Sequence, residues 1–283
     1  MRFVSYNIQY GLGSDGRYDL ERIAREAEGA DVIALQEVDR FWQRSGNVDS
    51  PEVLAGHLRG YYWVYGANLD IHAATPDDPG RRRQFGTMLL SKTPILSSRN
   101  HLLPKWGTLS QHSIQQGILE GVIMTGSGPL RVYSVHLSHL CRETRLPQID
   151  RIRQILKDAH GEGGAWCGGH PDPSAGWTEG DMPPMPREAI VMGDLNLTPS
   201  SDEYTALIGP WTEKYGRIAH RDGLVDSWTA AGHDEREGMT HPNGSRIDYI
   251  LVSAALAGQV RAAGVMSDAK GSDHWPIWAD IDL

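Results

Sequence analysis

The segment Val191–Ser200 reads VMGDLNLTPS: a short apolar run that ends in an Asp, a Leu and an Asn, then in a turn-like Thr-Pro-Ser. Val191 to Gly193 read as the end of a buried strand. Strand side chains alternate with period two, so Asp194 and Asn196 are expected on one side of the pleat, projecting from the strand's C-terminal edge. A carboxylate beside an amide that both donates and accepts suits the holding of a hard metal ion or the orienting of a water for attack. The same pair also serves to close a turn through side-chain to backbone hydrogen bonds. This stretch alone leaves both readings open.

The flanking chain supplies the frame. RFVSYNIQ alternates in the β manner, and YDLERIAREAEGA follows with Asp19 as a cap and Leu20, Ile23, Ala24 and Ala27 at helical spacing. DVIALQEV is a buried strand ending in Gln36 and Glu37, and Ser50-Pro51-Glu52 starts a helix. YYWVYG and FGTMLLSK are further strands. GILEGVIMTGSGPLRVYSVHLSH forms a hairpin around Thr-Gly-Ser-Gly, and PQIDRIRQILKDAH an amphipathic helix. REAIVMGD, SRIDYILVS, Gln259 to Val265 and WPIWADIDL are late strands, with a short helix near Ser201 to Leu207. Residues 161 to 186, nearly half Gly or Pro, form a long inserted loop. No composition shift cuts the chain. The pattern predicts one α/β domain over residues 1–283, two packed sheets with helices outside.

Bulk properties narrow the partners. A net charge of −9 argues against a protein that coats nucleic acid, because that affinity comes from cations neutralising phosphates. Arg81, Arg82 and Arg83 are either a local basic rim or a solvated loop. The two cysteines, Cys141 and Cys167, make neither a disulfide framework nor a zinc site. MRFVSYN has no signal-peptide core and no run has membrane-spanning length, so a cytoplasmic, soluble protein is expected.

Other strand ends repeat the polar pattern. Asn7 ends the first strand, Glu37 the second, and His136 closes RVYSVH. Asp248 lies within RIDYIL, where an acid between Ile247 and Tyr249 is costly unless paired. Asp273 and His274 precede the last strand. Each has a plain alternative: Asn7 a turn cap, Glu37 a solvated strand end, His136 a satisfied core histidine, Asp248 a partner of Arg246. Gathered at strand termini, the set points to a site.

SYNIQYG, ALQEV, VHLSH, MGDLN, RIDYILVS and SDHWPI stand in the order and approximate spacing of the endonuclease/exonuclease/phosphatase superfamily, which the chain resembles from Asn7 to His274. The group includes DNase I and the exonuclease-III-like abasic endonucleases. The resemblance implies a four-layer α/β sandwich, two mixed sheets face to face with helices outside. It also implies hydrolysis of phosphoester bonds with a divalent metal, magnesium or alternatively manganese. In those terms Glu37 resembles the main carboxylate ligand, with Asn7 and Asp273 close to the metal. Asp194 resembles the group that aligns or deprotonates the attacking water, with Asn196 beside it, and both are candidate metal neighbours. His274 resembles the phosphate-contacting histidine, Asp248 its carboxylate partner, and His136 a further phosphate contact.

The implied chemistry is in-line displacement with no covalent intermediate. Cations and imidazoles neutralise charge on phosphorus oxygens while a carboxylate takes the proton of water. Neither SVHLSH nor Cys141 has a nucleophile-elbow setting. Gln116 stands where many bacterial relatives carry Arg in an Arg-Gly-Ala stretch, and Cys-Asp-Arg, expected late in inositol 5-phosphatases, is replaced by SRIDYI. The expected partner is a small-molecule or lipid-derived phosphate ester. A DNA or RNA nuclease and a non-catalytic binding relative are the alternatives, the last disfavoured by intact Asp194, Asn196, Asp248, Asp273 and His274. His139, His241 and Arg145 read as structural or supporting.

Overall fold

A computed structural model describes residues 1–283. In chain order its elements are β1 (Arg2–Asn7), α1 (Leu20–Ala27), β2 (Val32–Arg40), α2 (Ser50–His57), β3 (Tyr62–His72), β4 (Arg82–Ser91) and β5 (Ile95–Leu102). There follow β6 (Gly117–Thr125), β7 (Gly128–His136), α3 (Arg142–Glu162), β8 (Ala189–Asp194), α4 (Asp202–Ile208), β9 (Trp211–Thr212) and β10 (Gly216–Arg217). The chain closes with β11 (Leu224–Asp226), α5 (Ser227–Ala230), β12 (Asp248–Ser253), β13 (Val260–Val265) and β14 (Ile277–Ile281).

One six-stranded sheet has the order β13-β14-β1-β2-β4-β3, the other β11-β12-β8-β7-β6-β5, and β9 pairs with β10 alone. Each large sheet is mixed: β1 runs parallel to β2 and β7 parallel to β8, while their other pairings are antiparallel. Phe3, Val32 and Ala34 of the first sheet share a core with Val132, Ile190, Met192 and Ile250 of the second. The outer face of the first sheet packs Val4, Tyr6, Ile33 and Leu35 against Leu20, Ile23 and Leu54 of α1 and α2. The outer face of the second packs Tyr133, Val135 and Val191 against Ile149, Ile152 and Tyr204 of α3 and α4. The result is the α/β sandwich with helices outside.

Local chemistry explains the element ends. Asp19 caps α1 by accepting from Arg22 N. α3 begins five residues earlier than its apolar pattern suggests, because Thr144 Oγ1 accepts from Cys141 N and closes a capping box ahead of Pro147. The Gly/Pro-rich stretch therefore starts with the last residues of α3 and continues as coil with one 3₁₀ turn, Pro173–Ala175. β5 was not legible in the sequence: ILSSRNHL is an edge strand, half exposed along its length and too polar to declare itself.

Alternation along the strands carries polarity toward one end of the sandwich. Phe3, Ser5 and Asn7 face inward from β1, Val132, Ser134 and His136 from β7, Ile190, Met192 and Asp194 from β8. The inner layer is apolar first. Next comes a hydroxyl and amide layer, in which Gln36 Nε2 donates to Ser134 Oγ at 3.0 Å and Ser134 Oγ donates to the Leu35 carbonyl at 3.2 Å. The outermost layer holds the ionisable groups.

Candidate active site

Three strands of the second sheet bring three of those groups abreast. Parallel pairing sets His136 opposite Asp194, and antiparallel pairing sets Asp194 opposite Asp248. β1 and β2 deliver Asn7 and Glu37 from across the gap. The Asp273-His274 segment closes the ring just before β14, with His274 N held by Ser272 Oγ at 3.2 Å.

One oxygen is the meeting point. Asp194 Oδ2 accepts from Asn7 Nδ2 at 2.9 Å and from Asn196 Nδ2 at 3.3 Å. His136 Nε2 faces it at 3.5 Å and His274 Nε2 at 3.8 Å. Asn7 Nδ2 also donates to Glu37 Oε1 at 3.2 Å, and His136 Nε2 lies 3.9 Å from that oxygen. All eight residues singled out in the sequence fall in this one network or beside it. Asp273 joins through Gln9, whose Nε2 donates to Asp273 Oδ2 at 2.7 Å and whose backbone N–H donates to Asn7 Oδ1 at 3.1 Å.

Two local geometries differ from simple strand logic. β8 ends at Asp194, so pleat alternation does not place Asn196. Its φ of 51° turns the chain back, its N–H donates to Asp194 Oδ1 at 2.9 Å, and its side-chain amide also donates to the Leu137 carbonyl at 3.1 Å. The turn-forming and site-forming readings of this pair are thus both present. Glu37 should point outward after inward Gln36, but the β2–β4 register shifts between Leu35 and Val38, and Glu37 has φ 59°. That bulge swings its carboxylate to Asn7. Four of the six non-glycine residues at positive φ, Gln9, Tyr10, Glu37 and Asn196, line this end of the sandwich. Each such conformation costs on the order of 1–3 kcal/mol, and such strain concentrates at functional sites.

Electrostatics follow from burial and pairing. His274 Nδ1 bonds Asp248 Oδ2 at 2.9 Å, both residues being buried. Burial by itself lowers the ring's pKa, but the charges of Asp248, Asp194 and Asp273 outweigh it and raise it to about 10. His274 is therefore an imidazolium at neutral pH. Asp194 is raised above the ordinary carboxylate range by burial, then by the Asp248 charge, which strengthens its hold on a proton. Arg246 is not the partner of Asp248: it precedes β12, turns to Asp226 at 2.7 Å and leaves Asp248 to His274.

The sequence reading missed Gln9, Gln36 and Arg44, while His241, read there as structural or supporting, lies against the site. His241 stands edge-on to His274, ring centroids 5.0 Å apart, with Nε2 4.0 Å from Asp273 Oδ2. Arg44 is gripped through two bonds of 2.9 Å by fully buried Asp39 and lies over Tyr10, Trp42 and Phe85, the last ring 6.4 Å from that of His136. Gln9 carried a signal, its place two residues beyond a strand-ending Asn. Arg44 carried none, since its role depends on rings from the separate segments of Tyr10 and Phe85 as well as on its neighbours Asp39 and Trp42. Arg145, by contrast, is structural, bonding Glu203 Oε1 at 2.9 Å and 3.0 Å.

Residues 4–274 match the Endonuclease/Exonuclease/phosphatase family. The chain belongs to that family. Its members are phosphoester hydrolases, a superfamily of metal-dependent enzymes. Bacteroides thetaiotaomicron mannosyl-6-phosphatase shares the fold with a TM-score of 0.67 at 17% identity, over 100% of both chains. Danio rerio TDP2, complexed with single-strand DNA product, shares it at 0.59 and 18%, covering 100% of this chain and 99% of that one. A 40-residue segment is 50% identical to DNA-(apurinic or apyrimidinic site) endonuclease 2 of Saccharomyces cerevisiae, spanning 14% of this chain and 8% of that protein. No helix is long and apolar enough to cross a membrane.

The donor set fits the divalent cation that the family uses. Glu37, Asp194, Asp248 and Asp273 put four carboxylates around one end of the sandwich, against a single aspartate-paired imidazolium. Partly exposed Glu37 and Asp273 offer the hard oxygens that magnesium prefers. Buried His136 Nδ1 and Asp248 Oδ1 have no protein partner. His241, Asp273 and His274 present ligand atoms within 4.8 Å of one another, as do Asp194, Asp248 and His274. The second trio is already committed, His274 Nδ1 being bonded to Asp248.

Proposed function

We propose that this protein is a magnesium-dependent hydrolase of a small-molecule or lipid-derived phosphate ester, acting through residues 1–283 as one catalytic unit, with manganese as an alternative ion. The observation that carries the reading is the convergence of Asn7, Asn196, His136 and His274 on Asp194 Oδ2, with Asp248 behind His274.

Glu37 and Asp273 would hold the cation, with Asn7, Asp194 and Asn196 beside it. When bound, it supplies charge neutralisation at the phosphate oxygens. Asp194 aligns the water and takes its proton, a task suited to a carboxylate with strengthened basicity. Asn7 and Asn196 keep that carboxylate in one rotamer. His274, charged at neutral pH, donates from Nε2 to a non-bridging oxygen, and Asp248 fixes its orientation. His136 adds a second imidazole on the Glu37 side.

A nuclease reading is supported by the endonuclease segment match and by the single-strand DNA product held by the Danio rerio neighbour. The charge balance favours the small substrate. Net charge is −9, and the candidate basic rim is spent internally, Arg81 on Asp78 and Arg82 on Asp70.

The test is one panel: plasmid DNA, RNA, a chromogenic phosphodiester and phosphomonoesters, each with Mg²⁺, Mn²⁺ or chelator. Turnover of small esters that chelator abolishes is expected. Steeply salt-sensitive cleavage of nucleic acid alone would shift the assignment to a nuclease, and no turnover of any ester would refute it.

A further inference from the structure

Beside Asp273 the surface opens into a cleft of about 500 Å³, lined by Ser14, Pro242, Ser267, Lys270, Asp273 and Trp275 among others. That volume is typical of small-molecule sites. Its walls are pinned by bonds from main-chain N–H groups: Ser14 N donates to the Lys270 carbonyl at 3.1 Å, Lys270 N to the Glu26 side-chain Oε1 at 2.8 Å, and Trp275 N to the Thr240 carbonyl at 2.8 Å. The cleft is thus held open by three separate segments rather than by a single loop.

Its chemistry is that of a polar guest. Three serines, one lysine, two aspartates and the half-buried Trp275 line it. His241, whose neighbour Pro242 and whose contact Asp273 both line the cleft, stands edge-on to His274. Asn243 N–H donates to His241 Nδ1 at 3.3 Å, so the neutral ring carries its proton on Nε2, the atom 4.0 Å from Asp273 Oδ2. A hydrogen-bond donor therefore marks the junction of cleft and candidate phosphate site.

We propose that this cleft receives the alcohol part of the ester, and that this part is a compact, hydroxyl-rich moiety of monosaccharide size. Trp275 supplies a flat apolar face, Lys270, Ser14 and Ser267 pair with hydroxyls, and His241 Nε2–H donates near the ester oxygen. The assignment rests on the phosphoester hydrolase reading and names its substrate class. An acyl chain would need a continuous apolar trough, and serines, aspartates and a lysine interrupt the apolar surface of this lining. A polynucleotide would carry further phosphates past Asp268 and Asp273, which share the wall with one lysine.

The experiment compares wild type with Lys270→Ala and His241→Phe, the first at an exposed position and the second preserving the aromatic edge against His274. The probes are hexose 6-phosphate, its methyl phosphodiester, phenyl phosphate and a dinucleotide, all with Mg²⁺, with calorimetric binding of hexose 6-phosphate measured in parallel and thermal melts to verify folding. The expected result is a drop of about tenfold, the worth of one good hydrogen bond, in the hexose-to-phenyl ratio of kcat/KM in Lys270→Ala, and a drop of similar size for both substrates in His241→Phe, whose donor serves the ester oxygen that both carry. Hexose 6-phosphate affinity should weaken in step. An unchanged ratio in Lys270→Ala and unchanged affinity in both variants would overturn the cleft assignment, as would a dinucleotide preferred over every sugar ester. If no ester is turned over, the hydrolase reading fails by itself, and the binding comparison still decides the cleft: weaker sugar-phosphate binding in the variants supports it, and none in wild type overturns it.

Discussion

Asp248 Oδ2 and His274 Nδ1 lie 2.9 Å apart in the buried end of the sandwich, and this pair holds the ring charged where burial alone would neutralise it. The linkage follows from that sign. His274's folded-state pKa, about 10, is above its ordinary value of 6.5, so its contribution to stability is complete below 6.5 and is lost as pH rises through about 10. In chelator-treated protein, Tm should therefore fall between neutral pH and pH 10, and Asp248→Asn should flatten that fall. Parallel melting curves for the two proteins across this range would disprove the pairing's role.

Asp194 is the acceptor on which the site converges, yet it lies at the strand's end, beyond the apolar core. Asp194→Ala should lower kcat by about 10²-fold or more, the scale of general base catalysis, while circular dichroism and Tm report a folded protein. Wild-type turnover in the purified variant would remove Asp194 from its role as base.

Glu37 owes its position to a register shift and a left-handed backbone, and its carboxylate is partly exposed. Glu37→Ala should raise the Mg²⁺ concentration for half-maximal activity by about tenfold or more, equivalent to about 1.4 kcal/mol of lost binding. An unchanged magnesium titration would assign the ion to other residues.

Gly193 precedes Asp194 at a close approach of β8 to β7. A Cβ there would sit 1.9 Å from the Val135 carbonyl oxygen. Gly193→Ala must push the two strands apart, and overpacking of this kind costs about 1–3 kcal/mol. The same displacement would move Asp194 away from His136. Both Tm and kcat should fall together, and a variant with lowered Tm but intact kcat would show that the register of these strands tolerates the shift.

Much of this molecule was legible from residue order. The period-two pattern that makes Phe3, Ser5 and Asn7 inward-facing also orients Ile190, Met192 and Asp194, so knowing the strands amounted to knowing which polar residues share the inner face. β5 escaped because an edge strand buries little and so carries little apolar signal. Gln36 looked like one more residue at a strand end; only the facing sheet shows it bonding Ser134 across the core.

Asn7, His136, Asp194 and Asp248 could be nominated by sequence because strand alternation is local, and Glu37, Asn196, Asp273 and His274 because the motifs ALQEV, MGDLN and SDHWPI stand in a recognisable order along the chain. Their partners could not. Whether Asp248 meets Arg246 or His274, how Glu37 is swung inward, and which wall carries Trp275 and Lys270 are settled by strand register and loop packing. Those are contacts between segments far apart in number, and their energies exist only once the two sheets have closed on each other.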